Sequence, residues 1–204
     1  NWPWIRQFPQ NQPQWDETHF ILDMFHPTVE DAQWLVVYDG FIGDHYSTRI
    51  PIERRIFIAG EPESFYKYQT DFLAQFGTIV TTQASTQHPH VIFSQPAVNW
   101  FAGVRFQRHG EPGIPVLDFD SLAHSPPKTK LCSVICSDKV ETEGHRLRKA
   151  FVDRLMSELG SQIDFYGRGI QPIDDKDTAL ADYQFHIAVE NSEHPHYWTE
   201  KLAD

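Results

Sequence analysis

L-C-S-V-I-C-S at 131–137, E-G-H-R-L-R-K-A-F-V-D-R-L-M-S-E-L-G at 143–160, I-D-F-Y-G-R-G at 163–169 and Q-F-H-I-A-V-E-N-S at 184–192 follow one another with short gaps. The first, third and fourth are brief apolar runs that end on small or polar residues, as buried strands do. The second spaces Leu147, Phe151, Leu155 and Leu159 four apart, an apolar helical stripe, with Gly160 placed to cap it. Residues 177–183 read as a short helix leading into the last strand. Strand, helix, strand, helix, strand is the opening half of a nucleotide-binding α/β domain, and buried strands alternating with helices imply a parallel sheet.

Upstream the same rhythm recurs. Residues 34–38, 55–59, 78–81 and 90–93 read as strands and 66–76 as a helix, which makes a second α/β domain. The opening 30 residues, rich in Pro, Gln and Trp, are irregular. The proline-containing stretch 108–130 reads as the linker, which divides the chain into an N-terminal domain over 1–125 and the first part of a second domain over 126–204. The second is expected to be incomplete, since 201–204 is only the first turn of its next helix.

Bulk composition narrows the function. The chain has 204 residues, 40% of them hydrophobic and 14% aromatic, enough for real cores and against disorder. A net charge of -11 argues against a general nucleic-acid binder, although a local Arg/Lys cluster can still hold a phosphate-bearing small ligand. No run of about 18 apolar residues is present to span a membrane. Cys132 and Cys136, on one strand, would stand about 13 Å apart; a bridge needs Cα atoms within about 7 Å. They read as buried free thiols of a reducing compartment. The eleven histidines show no metal-ligand spacing.

Three islands, 55–64, 145–169 and 182–201, carry most of the chemistry, with Trp100 beside them. At the end of the last strand, Glu190-Asn191-Ser192 precede Tyr197-Trp198-Thr199-Glu200-Lys201, where a helix should open. Read plainly, Thr199 is an N-cap and Glu200 complements the helix dipole. Read as a ligand site, Lys201 serves phosphates and Glu200 serves sugar hydroxyls. Arg148 sits on the 143–159 helix among Arg146, Lys149 and Arg154, either as one charge of a solvated face or as a guanidinium fork for phosphate. In the first domain R-I-F-I-A-G-E-P-E-S at 55–64 places Glu61 and Glu63 at a strand end, where a carboxylate can take a proton from an attacking hydroxyl. Tyr166-Gly167-Arg168-Gly169 lets backbone approach a ligand closely. Trp100 offers an aromatic face to a sugar.

Together these motifs resemble the glycosyltransferase family 10 pattern, that of the α1,3/1,4-fucosyltransferases: F-x-x-x-x-E-N-S before Y-x-T-E-K at the end, an arginine early in the preceding helix, Y-G-x-G, and G-E-x-E-S in the first domain. Phe65 stands where that family usually has proline, and the choice between Glu61 and Glu63 stays open. The resemblance implies a GT-B-like fold, two Rossmann-like domains facing a cleft. It implies inverting transfer of L-fucose from GDP-β-L-fucose to a glycan hydroxyl, in α1,3 or similar linkage. Donor contacts would come from Arg148, Tyr166, Gly167, Glu190, Asn191, Ser192, Tyr197, Thr199, Glu200 and Lys201. Trp100 would meet the acceptor, and no metal or other cofactor is required. Another nucleotide-sugar donor, or a non-catalytic nucleotide- or glycan-binding module, is the alternative. The expected setting is the bacterial cytoplasm, including the inner face of its membrane, or the Golgi lumen if the chain is eukaryotic.

Overall fold

The computed structural model describes residues 2–22, 31–40, 46–96, 99–106 and 113–204. Parts of the irregular opening (1 and 23–30) and of the expected linker (108–112) lie outside them. The chain forms two compact units. One comprises described residues of 23–98 together with 192–199; the other comprises those of 1–22, 99–191 and 200–204. Both are built on parallel sheet, as the apolar runs require.

In the first unit the strands Leu35–Tyr38, Arg55–Ile58, Thr78–Thr81 and Val91–Phe93 lie side by side in chain order, all parallel. All four fall on the expected runs. Phe57 is fully buried, with the rings of Tyr68, Phe72 and Phe76 at 4.8, 5.1 and 5.2 Å. Burial of such a side chain stabilises by about 1.5–3 kcal/mol. The helix expected over 66–76 shrinks to Thr70–Leu73. Its first turn is lost to tertiary hydrogen bonds: the Tyr66 carbonyl accepts from Gln83 Nε2 at 2.8 Å, and the Tyr68 hydroxyl donates to Asp39.

In the second unit Lys130–Ile135 is the central strand, flanked in parallel by Asp164–Tyr166 and Tyr183–Ile187. Glu143–Leu159 is helical over the expected residues, but its apolar stripe is corrected. The buried side chains are His145, Arg148 and Val152, with Leu155 and Met156 behind them, while Leu147 is 65% exposed and Phe151 half exposed. Positions four apart advance past a full turn by about 40° each time, so such a stripe winds around the helix and leaves the sheet. The short helix expected over 177–183 is one 3-10 turn, Lys176–Ala179, capped by Asp175. Tyr183 is instead drawn into the sheet opposite Lys130, its hydroxyl donating to Asp164 Oδ2 at 2.6 Å.

The described part of the proline-containing stretch is folded into this unit. Ile114–Pro115 pairs with Val104–Arg105, and Phe119–Leu122 is a helical turn capped by Asp118. Arg6, 1% exposed, ties the opening segment to it by donating to the carbonyls of Leu117 at 2.9 Å, Ala102 at 2.7 Å and Trp100. Cys132 and Cys136 are free thiols, as expected. Among the described residues no helix is long and apolar enough to cross a membrane.

Ser133, fully buried mid-strand, donates to the Ala179 carbonyl and lies 2.8 Å from His186 Nδ1. Burial, and secondarily Lys176, push the His186 pKa down to about 4 from 6.5. The unfolded chain therefore takes up this proton first. Its contribution to stability is whole above pH 6.5 and is lost as the pH falls towards 4. Allowing for partial exposure, the loss is about 2 kcal/mol. Urea melts at pH 7.5 and 4.5 should show it, and the pH effect should shrink in His186→Gln; an equal drop in that variant would assign the effect to other groups.

Candidate functional site

Each unit gathers polar side chains at the carboxyl ends of its parallel strands, where α/β sheets bind ligands. In the second unit the central strand ends at Cys136-Ser137, and the Gly167 loop crosses just above it. A Cβ on Gly167, whose φ is +116°, would come within 2.1 Å of the Cys136 carbonyl oxygen, so only glycine fits. Tyr166 itself is buried with its hydroxyl 2.6 Å from that of Tyr183, so it meets the strand ends through backbone alone.

The 143–159 helix points its first turn at the same place. Thr142 caps it, accepting from the His145 N–H at 3.2 Å, and His145 closes a capping box by accepting from the Thr142 N–H. One turn on, Arg148 is 6% exposed; Nη2 donates to Ser137 Oγ at 3.1 Å, while Nε is buried with no hydrogen-bond partner. A guanidinium taken out of water without a counter-charge among the described residues is costly, a cost that an anion at this place would offset. Burial first, then Arg148, lowers the His145 pKa, with Lys139 and Lys201 acting in the same sense and Glu141 against it. A cationic cluster therefore stands inside an acidic chain.

Asn191, at the end of the last strand, approaches His145: its Nδ2 lies 3.0 Å from Nε2, and its Oδ1 is buried without a partner. Lys201 pairs with Glu190 at 3.5 Å and with Glu200 at 3.3 Å, and Glu200 also takes Lys176 at 3.3 Å. The terminal helix begins at Glu200, one residue after Thr199. Lys176 further pairs with the buried Asp204 at 2.7 Å and lies over the Phe101 ring. Trp100, also in this unit, stacks on Phe119 with centroids 5.9 Å apart.

The first unit holds the two acidic candidates, and they differ. The Glu63 carboxylate is bound by Lys67 and by Ser85 Oγ, each at 2.7 Å, which pushes its pKa down to about 2. Glu61 is held through its backbone: its N–H donates to Tyr68 Oη at 3.3 Å, and its carbonyl accepts from Gln83 Nε2 at 3.0 Å. Burial, then Asp39, raises the Tyr68 pKa, so the hydroxyl keeps its proton and gives it to Asp39 in a hydrogen bond. Ser192 Oγ lies 3.0 Å from Ser64 Oγ, while the Tyr197 N–H donates to the His194 carbonyl.

The structure thus brings together Arg148 and Asn191 around His145, joins Lys201 to Glu190 and Glu200, and groups Glu61, Glu63 and Ser192 with Ser64. Sequence reasoning missed His145, Tyr68, Asp39 and Gln83. The signal for Gln83 was present: Thr81, Thr82 and Gln83 are three polar residues in succession after an apolar strand, and all three are buried. Among the described residues no group of three or more His, Cys, Asp or Glu side chains is placed to hold a metal ion.

Residues 125–204 match the family model described as glycosyltransferase family 10 (fucosyltransferase) C-term. No curated protein and no solved structure matches the chain. The matched segment contains Arg148, the Gly167 loop and the whole 190–201 stretch, whereas Glu61, Glu63 and Trp100 precede it. Over residues 125–204, then, this chain is similar to the C-terminal domain of glycosyltransferase family 10, the fucosyltransferases.

Proposed function

We propose that the protein transfers L-fucose from GDP-β-L-fucose to a glycan hydroxyl with inversion at the anomeric carbon, in α1,3 or similar linkage and in a GT-B-like arrangement. The observation that carries this reading is the buried Arg148, its Nε unpartnered, gathered with Asn191 and the charge of Lys201 around His145 on the family-matched segment. Arg148 and Lys201 neutralise the diphosphate as charge builds on it, so the reaction needs no bound metal. Glu190, Asn191, Ser192, Tyr197, Thr199 and Glu200 serve the phosphates and sugar hydroxyls, and the Tyr166-Gly167 backbone lines the approach. Trp100 is the acceptor platform.

Glu61 is the base. It takes the proton of the acceptor hydroxyl as that oxygen bonds to the anomeric carbon and the bond to the β-phosphate oxygen breaks, releasing GDP. Two features favour it over Glu63: Glu63 is committed to Lys67 and Ser85 and is too weakly basic, and the Glu61 peptide is anchored on both sides.

Calorimetric titration with GDP, GDP-fucose and UDP tests the donor. Binding of the two guanine nucleotides with none of UDP is expected; preference for UDP would transfer the reading to another nucleotide sugar. GDP bound without GDP release in the presence of glycan acceptors would point to a non-catalytic module.

A further inference from the structure

His145 has no part in the function argued above, yet it touches one of its donors. Its Nδ1 receives the Thr142 backbone N–H at 3.3 Å and lies 3.0 Å from Thr142 Oγ1. That oxygen already accepts the His145 N–H, so its own hydrogen is free to point at Nδ1. A ring nitrogen facing two donors carries no proton. The proton of the neutral ring therefore sits on Nε2, which faces the Asn191 amide at 3.0 Å.

An amide nitrogen there would set donor against donor and leave Oδ1 buried and unsatisfied. The two ends of the amide are alike in size, and a half-turn about χ2 exchanges them. Turned so, Oδ1 accepts from Nε2–H and the Asn191 NH2 takes the orphaned position. The amide then offers its NH2 on the side away from His145, and Arg148, whose Nε–H is unpaired, acts by its charge on that same ring. An all-donor lining suits phosphate oxygens; a lining with a carbonyl oxygen in it does not.

We propose that His145 is a positioning residue: through its Nε2–H it fixes the Asn191 amide with NH2 turned towards the diphosphate. The capping box sets the tautomer, the tautomer sets the amide, and the amide favours an anion. The inference rests on the donor reading of the previous subsection for the identity of that anion, but the tautomer and the amide orientation do not depend on it.

Two measurements decide it. Long-range 15N NMR of the imidazole in the ligand-free protein should give the Nε2–H tautomer; an Nδ1–H tautomer overturns the proposal whatever the protein binds. His145→Asn separates cap from clasp, because the Asn Oδ1 stands where Nδ1 does and can accept the Thr142 N–H, while its amide stops one bond short of the Nε2 position and does not reach Asn191. Its melting temperature should stay near wild type, GDP affinity should fall roughly tenfold, the worth of one charge-assisted contact, and guanosine affinity should not change. Wild-type GDP affinity in this variant, or an equal loss for guanosine, sinks the idea. Absence of GDP binding by the wild-type protein refutes the donor reading and the diphosphate claim with it, while the NMR result still decides the His145–Asn191 clasp.

Discussion

Glu61→Gln is expected to lower kcat by about 10²–10⁴-fold, the worth of a positioned general base, while GDP binding is unchanged. The substitution keeps the size and the backbone of the residue, so the hydrogen bonds from the Glu61 N–H to Tyr68 and from Gln83 to its carbonyl survive. What is lost is the ability to hold a proton. Glu63→Gln provides the contrast. Its carboxylate is paired with Lys67 and Ser85 and its pKa lies at about 2, far below a useful working pH, so its replacement should disturb turnover only through the local fit of that loop. Initial rates at saturating acceptor, with calorimetry of GDP alongside, separate the two. If the Glu63 variant is dead and the Glu61 variant active, the base has been misassigned.

Arg148→Met should lower GDP affinity by at least about 30-fold, because truncating one partner of a buried charge pair costs about 2–5 kcal/mol or more. Its effect on stability should have the opposite sign. The guanidinium is 6% exposed, with one side chain, Ser137, on its Nη2 and nothing on Nε. An apolar side chain of similar length removes that desolvation cost, so a melt should show equal or higher stability, as when buried ions are replaced by well-packed apolar groups. A protein that is steadier and no longer binds GDP marks a residue kept for its ligand. The reverse result, a lower melting temperature with GDP binding intact, would make Arg148 a structural residue. Lys201→Met should weaken GDP binding less, since Lys201 is more exposed and shares its charge with Glu190 and Glu200.

Apolar runs were enough to locate the strands, because parallel strands packed in a sheet are apolar over most of their length. The limits of the long helix were legible too: Gly160 ends it as read, and the structure adds Thr142 as its N-cap. Its inward face was not. The residues it buries near the site, His145 and Arg148, are polar, so a search for an apolar stripe turned the helix the wrong way. The short helices failed for another reason. Residues 66–69 have acceptable helical sequence, but the side chain of Gln83, distant along the chain, takes the Tyr66 carbonyl that a helix would have used, and Asp39 holds the Tyr68 side chain by its hydroxyl. Long-range claims of this kind leave no periodicity to read. The candidate residues themselves were visible as short motifs, whereas His145, Tyr68 and Gln83, which hold their neighbours in place, carry no motif.

The double anchoring of the Glu61 peptide has a consequence for how such a protein can change over generations. Tyr68 and Gln83 grip main-chain atoms of Glu61 and Tyr66, whatever side chains the loop between them bears. Phe65 and Tyr66 are more than half exposed there. Their replacement alters the surface next to the carboxylate without moving the carboxylate. On the proposed reading, a lineage could thus explore new acceptors at these positions while the anchored Glu61 backbone is inherited intact.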